Sequence, residues 1–239
     1  MFDLKMGSRG LQVSKLQRAL NDELGAGLTV DGDFGRLTKQ AVWDFQGLNW
    51  LVQDGVAGRC TQNALYGDET YDPIVNLLRF IPQPTTTTCW AASTAMLTKT
   101  NVPAVIARTP PDLVASNGGL LNFSESTEAF DAGNRFAQSQ GISMISALSS
   151  LGLGFIRSAL AQGPLMFDML WEPGKYIDGT GSPGHMLVVS RIRGDDDPSG
   201  MGTTIYVLDP WAPNVGKIAP FNYFKWINEV STRTYRVFQ

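Results

Sequence analysis

Four residues of this chain could share one reaction: Cys89, His185, Asp209 and Gln83. A thiol is a nucleophile only as thiolate. The run from Cys89 to Thr98 (Cys-Trp-Ala-Ala-Ser-Thr-Ala-Met-Leu-Thr) reads as a helix led by the cysteine. There, unpaired backbone N–H groups and the positive end of the helix dipole favour the charged sulfur. Thr85 to Thr88 stand just before it as candidate caps. His185 is the only histidine among 239 residues, so an imidazole base must be this ring. Gly184 lets the chain turn before His185 opens a strand-like run to Ile192, and Asp209 follows the next such run, Thr203 to Leu208. A helix-leading thiol, an imidazole on one strand and a carboxylate on its neighbour supply a nucleophile, a base and a group that orients the base. Gln83 adds an amide that, with the Cys89 N–H, can donate to an oxyanion. The chemistry is acyl transfer and needs no cofactor.

Each residue taken singly has a plainer explanation: a core histidine, a turn-forming aspartate before proline, a loop glutamine. Their order sets them apart. Gln83-x5-Cys89-Trp90-Ala91, then Gly184-His185, then Asp209-Pro210-Trp211 resemble the motifs of the papain-like cysteine peptidases. The resemblance implies that Gln83 and the Cys89 N–H form the oxyanion hole, His185 is the base, and Asp209 orients it. It also implies that Trp211 shields the Asp–His bond. Trp90, Trp171 and Trp211 are the candidate substrate-binding aromatics, and Met166 a further cleft candidate, core packing being the expected alternative for Trp90 and Met166. Gly163-Pro164-Leu165 and the compact size look closer to bacterial effector and bacteriocin-processing peptidases than to the larger lysosomal enzymes. The motifs run from about Ile81 to Trp211, and the segment Thr100 to Gly163 contributes none.

The elements that must position these residues follow from periodicity. Ser126 to Ser139 and Phe155 to Ala161 read as helices, whereas Leu165 to Leu170, His185 to Ile192 and Thr203 to Leu208 read as strands. Helices first and strands afterwards predict an α+β domain with a C-terminal antiparallel sheet. Gly194 to Gly202, with Asp195-Asp196-Asp197, is expected to be a solvated hairpin loop, a metal site there being the weaker reading.

Upstream lies an internal repeat. Asp31-Gly32-Asp33-Phe34-Gly35-Arg36-Leu37-Thr38-Lys39-Gln40-Ala41 recurs as Asp54-Gly55-Val56-Ala57-Gly58-Arg59-Cys60-Thr61-Gln62-Asn63-Ala64. Each copy reads as an Asp-Gly turn, a second glycine and a helix with Thr in its first turn. Leu11, Leu16 and Leu20, then Ala41, Val42, Phe45 and Leu48, keep helical apolar spacing. A small three-helix unit results, with Cys60 as a packed thiol. From about Leu4 to Leu65 the stretch resembles the bacterial peptidoglycan-binding domain, through Leu16-Gln17, Asp31-Gly32, Phe34-Gly35, Thr38, Phe45-Gln46, Asp54-Gly55 and Thr61. The resemblance implies peptidoglycan as a partner, with Asp31, Phe34, Gly35 and Thr38 as expected contacts. The domains are expected at 1–67 and 81–239, joined by a linker at 68–80.

Composition removes other classes. With 19 basic and 22 acidic residues the net charge is −3, which gives nucleic acid little counterion-release advantage. One His and two Cys cannot assemble a usual zinc site unless carboxylates dominate it, and they exclude a disulfide framework. No apolar run reaches the roughly 18–20 residues of a membrane span. The early charges Asp3, Lys5 and Arg9 interrupt any signal-peptide core, which leaves a cytoplasmic protein, export by a leaderless route or a leader already removed, leaderless export being the expectation taken here. The expected protein is a secreted bacterial cysteine peptidase or amidase with a Cys-His-Asp triad, targeted to the cell wall. It reads as a toxin delivered between bacteria, with an immunity protein as a further partner. Two alternatives are an effector protease that cleaves a target-cell protein and an inactive wall-binding module. Amine transfer, as in transglutaminases, would use the same residues.

Overall fold

The computed structural model describes residues 2–121, 127–146, 152–170, 184–230 and 234–239. Trp171, expected at a substrate cleft, and Ser126, expected to open a helix, lie outside them. Among the described residues no helix is long and apolar enough to cross a membrane.

Two compact units divide the chain. The first comprises Met1–Pro73, Arg193–Thr204 and Pro220–Phe224. Its helices are α1 (Leu11–Leu24), α2 (Arg36–Leu48) and α3 (Arg59–Tyr66). Their apolar stripes bury Val13, Leu16, Leu20, Val42, Phe45 and Leu65 around Phe34 and Leu51. Leu11 and Leu48, expected on the same faces, are 87% and 75% exposed, because they are the terminal residues of α1 and α2 and overrun the core. Cys60 packs partly buried against this core, and burial pushes its thiol pKa up, opposed by hydrogen bonds from Thr204 and Asn222.

The repeat is a polar device built twice. Gln17 Nε2 donates to Asp31 Oδ1 at 2.8 Å, Asp33 O at 3.1 Å and Thr38 Oγ1 at 3.3 Å, while its Oε1 accepts the Gly32 N–H at 3.0 Å. In the second copy Gln46 Nε2 donates to Asp54 Oδ1 at 2.8 Å, Val56 O at 3.0 Å and Thr61 Oγ1 at 3.1 Å, and Oε1 accepts the Gly55 N–H at 2.9 Å. Both glutamines are almost fully buried, so each loop is tied to its helix by a satisfied interior amide. This corrects two of the four expected ligand contacts. Phe34 is 0% exposed and Thr38 3%, so neither offers surface to a glycan. The Asp31 carboxyl is held below its usual range by the Asp33 N–H and by Gln17, and Gly35 is the half-buried N-cap of α2. Asp31 stays exposed, so of the four residues burial withdraws Phe34 and Thr38 alone. Replacing Gln46 with Leu strands several buried polar groups and should cost about 3 kcal/mol. Thermal unfolding of the whole chain should show a lowered first transition, whereas Gln40→Ala, which breaks an exposed pair with Asp44, should leave it in place.

The acidic hairpin loop is also corrected. Asp195 is only 6% exposed and accepts from Arg59 Nε at 2.7 Å and Asn63 Nδ2 at 2.8 Å. Arg59 reaches Asp197 as well, so a guanidinium supplies the cation that the acidic run needs. Its sequence separation from Asp195 explains why the loop reads as solvated. Nearby, Arg193 holds Glu69 through two bonds of 2.8 Å.

The second unit comprises Ile74–Ile192, Ile205–Ala219 and Lys225–Gln239. It holds α4 (Cys89–Leu97), α5 (Val102–Arg108), α6 (Thr127–Gln140) and α7 (Leu153–Leu160). The strands of the chain are β1 (Tyr71–Val75), β2 (Met144–Ser146), β3 (Leu165–Met169), β4 (His185–Gly194), β5 (Thr203–Asp209), β6 (Lys217–Asn222) and β7 (Thr234–Phe238). They form one sheet in the order β2-β7-β3-β4-β5-β6, with β1 paired to β4. The β2/β7, β7/β3 and β3/β4 ladders are antiparallel. The result is the expected mixture of helices and antiparallel sheet after a helical N-terminal domain. α4 is apolar or small around its whole circumference, so it is buried from Trp90 to Met96 in a core with Met166, Met186, Val188, Leu208 and Phe238.

Candidate active site

All the site residues discussed next belong to the second unit. Cys89 is the first residue of α4 and a half-buried free thiol. The N-cap is Thr88, but its hydroxyl makes no capping bond. It pairs instead with the Thr85 hydroxyl at 2.9 Å and accepts the Thr85 N–H at 3.1 Å. The expected threonine cap is therefore turned into the preceding loop, and the first N–H groups of α4 are left to whatever lies at the sulfur end.

His185 is the first residue of β4 and Asp209 the last of β5. Because these neighbouring strands are joined as a hairpin, those two positions meet at its open end. His185 Nε2 lies 2.6 Å from Asp209 Oδ1, and the two side chains are only 6% and 13% exposed. The Trp211 N–H donates to the same Oδ1 at 2.9 Å, which fixes the carboxylate. The Cys89 thiol is near enough to the ring to be among the groups that raise its pKa. Burial works against a charge on this ring. The hydrogen bond to Asp209 and the nearby Cys89 thiol, together with the charges of both groups, outweigh it and push the His185 pKa from 6.5 up to about 9.

Gln83 reaches this constellation through backbone. Its N–H donates to Pro210 O at 3.1 Å, and its carbonyl accepts the Asn214 N–H at 2.7 Å, so the loop before the nucleophile is clamped to the loop after Asp209. The side chain is 0% exposed, with Nε2 donating to Thr85 O at 2.6 Å and Oε1 without a partner. One amide hydrogen is thus spent inside the loop, and only the second is free to serve another acceptor.

Of the candidate aromatics, Trp90 takes the core alternative rather than the substrate-binding one. It is 2% exposed, stacks edge-on against Phe136 and donates Nε1–H to Gly118 O at 3.0 Å, which makes it core. Trp211 is 41% exposed and borders the Asp209 carboxylate.

The sequence reading missed two features. Ser93 Oγ donates to Met186 O at 2.9 Å, beside His185. Asp168, in β3, pairs with Arg236 of β7 at 2.6–2.7 Å, both buried. Burial raises the Asp168 pKa, opposed by the charges of Arg236 and of the His185 ring. The one available signal for this pair was a lone aspartate inside the apolar run Leu165 to Met169.

Comparison with known proteins bears on the N-terminal part. Residues 9–65 match the model of a putative peptidoglycan binding domain. A zinc D-Ala-D-Ala carboxypeptidase of Streptomyces albus G is 43% identical over 65 residues, 26% of this chain and 26% of that protein. The chain thus spans about a quarter of the length of that curated relative. The SleB N-terminal domain structure is 33% identical, covering 28% of this chain and 92% of that one, with a TM-score of 0.27. A Burkholderia AP3 phage endolysin structure is 30% identical, covering 47% of this chain and 42% of that one, with a TM-score of 0.28. The chain carries an N-terminal peptidoglycan-binding domain.

Proposed function

We propose that the chain is a cell-wall hydrolase that cuts an amide bond of peptidoglycan with Cys89 as nucleophile. One observation carries the reading: the sole imidazole is bonded to Asp209, and the thiol that leads α4 is near enough to act on the charge of the same ring. In the proposed reaction His185 holds the thiol proton and the Cys89 sulfur attacks the amide carbonyl carbon. The Cys89 N–H and the second Gln83 N–H donate to the oxyanion. As the C–N bond breaks, His185 gives its proton to the leaving nitrogen. A water then adds to the thioester with His185 as base, releasing a carboxylate and restoring the thiol. Asp209 holds the ring through Nε2 throughout.

Peptidoglycan is favoured as substrate because the N-terminal domain matches a peptidoglycan-binding model and resembles parts of a wall carboxypeptidase and an endolysin. Tethering the second unit to the wall raises local amide concentration, commonly into the mM range for a short linker, without any new contact at the thiol. Purified sacculi should release soluble fragments carrying one new amino group per cut when incubated with the chain. Release from sacculi at the buffer-only rate, with cleavage of unfolded casein in its place, would replace the wall by a protein substrate.

A further inference from the structure

The nucleophile and the base stand on different elements, and one buried side chain joins those elements beside them. Ser93 follows Cys89 by one helical turn, which puts both on one face of α4. It is 0% exposed, and its Oγ donates to the carbonyl of Met186, the residue after His185 in β4, at 2.9 Å. The other polar link from α4 to the sheet, Thr94 Oγ1 to Met166 Sδ at 3.5 Å, joins β3 at a point away from Met169, the residue paired with His185. Apolar packing alone lets a helix slide on a sheet by fractions of an ångström, whereas a directional bond fixes both distance and rotation. A misplacement of about 1 Å in a reacting pair can cost about 100-fold in rate.

We infer that Ser93 is a positioning residue: by anchoring α4 to the backbone beside His185, it holds the Cys89 sulfur within hydrogen-bond reach of the ring. The inference rests on the proposed Cys89–His185 chemistry. Among the described residues, the charged and titratable groups that act on the ring are Cys89 from α4, Asp209 from β5 and Asp168 from β3, itself paired with Arg236 of β7. Replacing Ser93 changes none of them, so an altered thiol reactivity reports geometry.

The test is the rate of iodoacetamide alkylation at Cys89 and Cys60, read by peptide mapping across pH 5–9, for the whole chain and two variants. In the wild type, Cys89 should react at least tenfold faster than Cys60 at pH 6. Ser93→Ala should lower the Cys89 rate at pH 6 by about tenfold and move the acid limb of its profile to higher pH. Thr94→Val removes a buried hydroxyl contact of the same helix and should leave the Cys89 rate within about twofold, whatever it does to the unfolding temperature. Wild-type reactivity in Ser93→Ala, or an equal loss in Thr94→Val, overturns the assignment of Ser93 and leaves the proposed chemistry intact. A wild-type Cys89 no faster than Cys60 at pH 6 overturns both.

Discussion

Cys89→Ala is expected to lower fragment release from sacculi by about 10⁶-fold, down to the background that binding and oxyanion donors alone sustain. The expectation follows from the covalent step, since no other thiol lies beside the imidazole. Cys60, the second cysteine, packs in the other unit against Asn222 and the Met201 carbonyl. The substitution should spare the fold: position 89 is half-buried at the start of α4, and Ala is the better helix former. Co-sedimentation with sacculi should therefore match the wild type while release disappears. Equal fragment profiles from wild type and Cys89→Ala would show that the sulfur takes no part.

Asp209→Ala should reduce turnover by about 10³-fold, with little change in KM, because the carboxylate acts on the ring rather than on substrate. Without Asp209 the ring loses its 2.6 Å partner at Nε2 and can rotate away from sulfur. The pH profile should change as well. The active form carries a proton on His185, and the His185 pKa is pushed up to about 9, so activity should persist to alkaline pH and fall as pH rises through 9. In Asp209→Asn a neutral acceptor replaces the charge, and that fall should move to lower pH. Stability follows the same sign. The folded-state pKa lies above the unfolded value of 6.5, so the contribution is complete below pH 6.5 and is lost between there and about pH 9. An alkaline limb that stays in place in Asp209→Asn would show that Asp209 does not hold the proton on the ring.

Local signals in the sequence were enough for the elements that carry the site, but not for α5 or for β1, β2, β6 and β7, β1 falling in the expected linker, nor for what joins the elements. The apolar run after Cys89 marks a buried helix, and Gly184 and Pro210 bracket the hairpin that carries His185 and Asp209. Ser93 reads as one more small helical residue, since its acceptor is Met186, 93 positions away. The Arg59–Asp195 pair spans 136 positions, so an acidic loop with its own cation is indistinguishable in sequence from one facing water. Phe34 and Thr38 misled for another reason. A repeated motif stands out whether it binds a ligand or builds a turn, and burial alone tells the two apart. Trp90 followed the same pattern, its indole being spent on Phe136 and the Gly118 carbonyl.

Because the chain has a single histidine, its imidazole can be followed without ambiguity by ¹⁵N NMR of histidine-labelled protein. Both ring nitrogens should stay protonated through neutral pH and titrate near 9, and the midpoint should drop in Cys89→Ala. A wild-type midpoint near 6.5 that Cys89→Ala leaves unmoved would mean the thiol and the ring do not form a working pair.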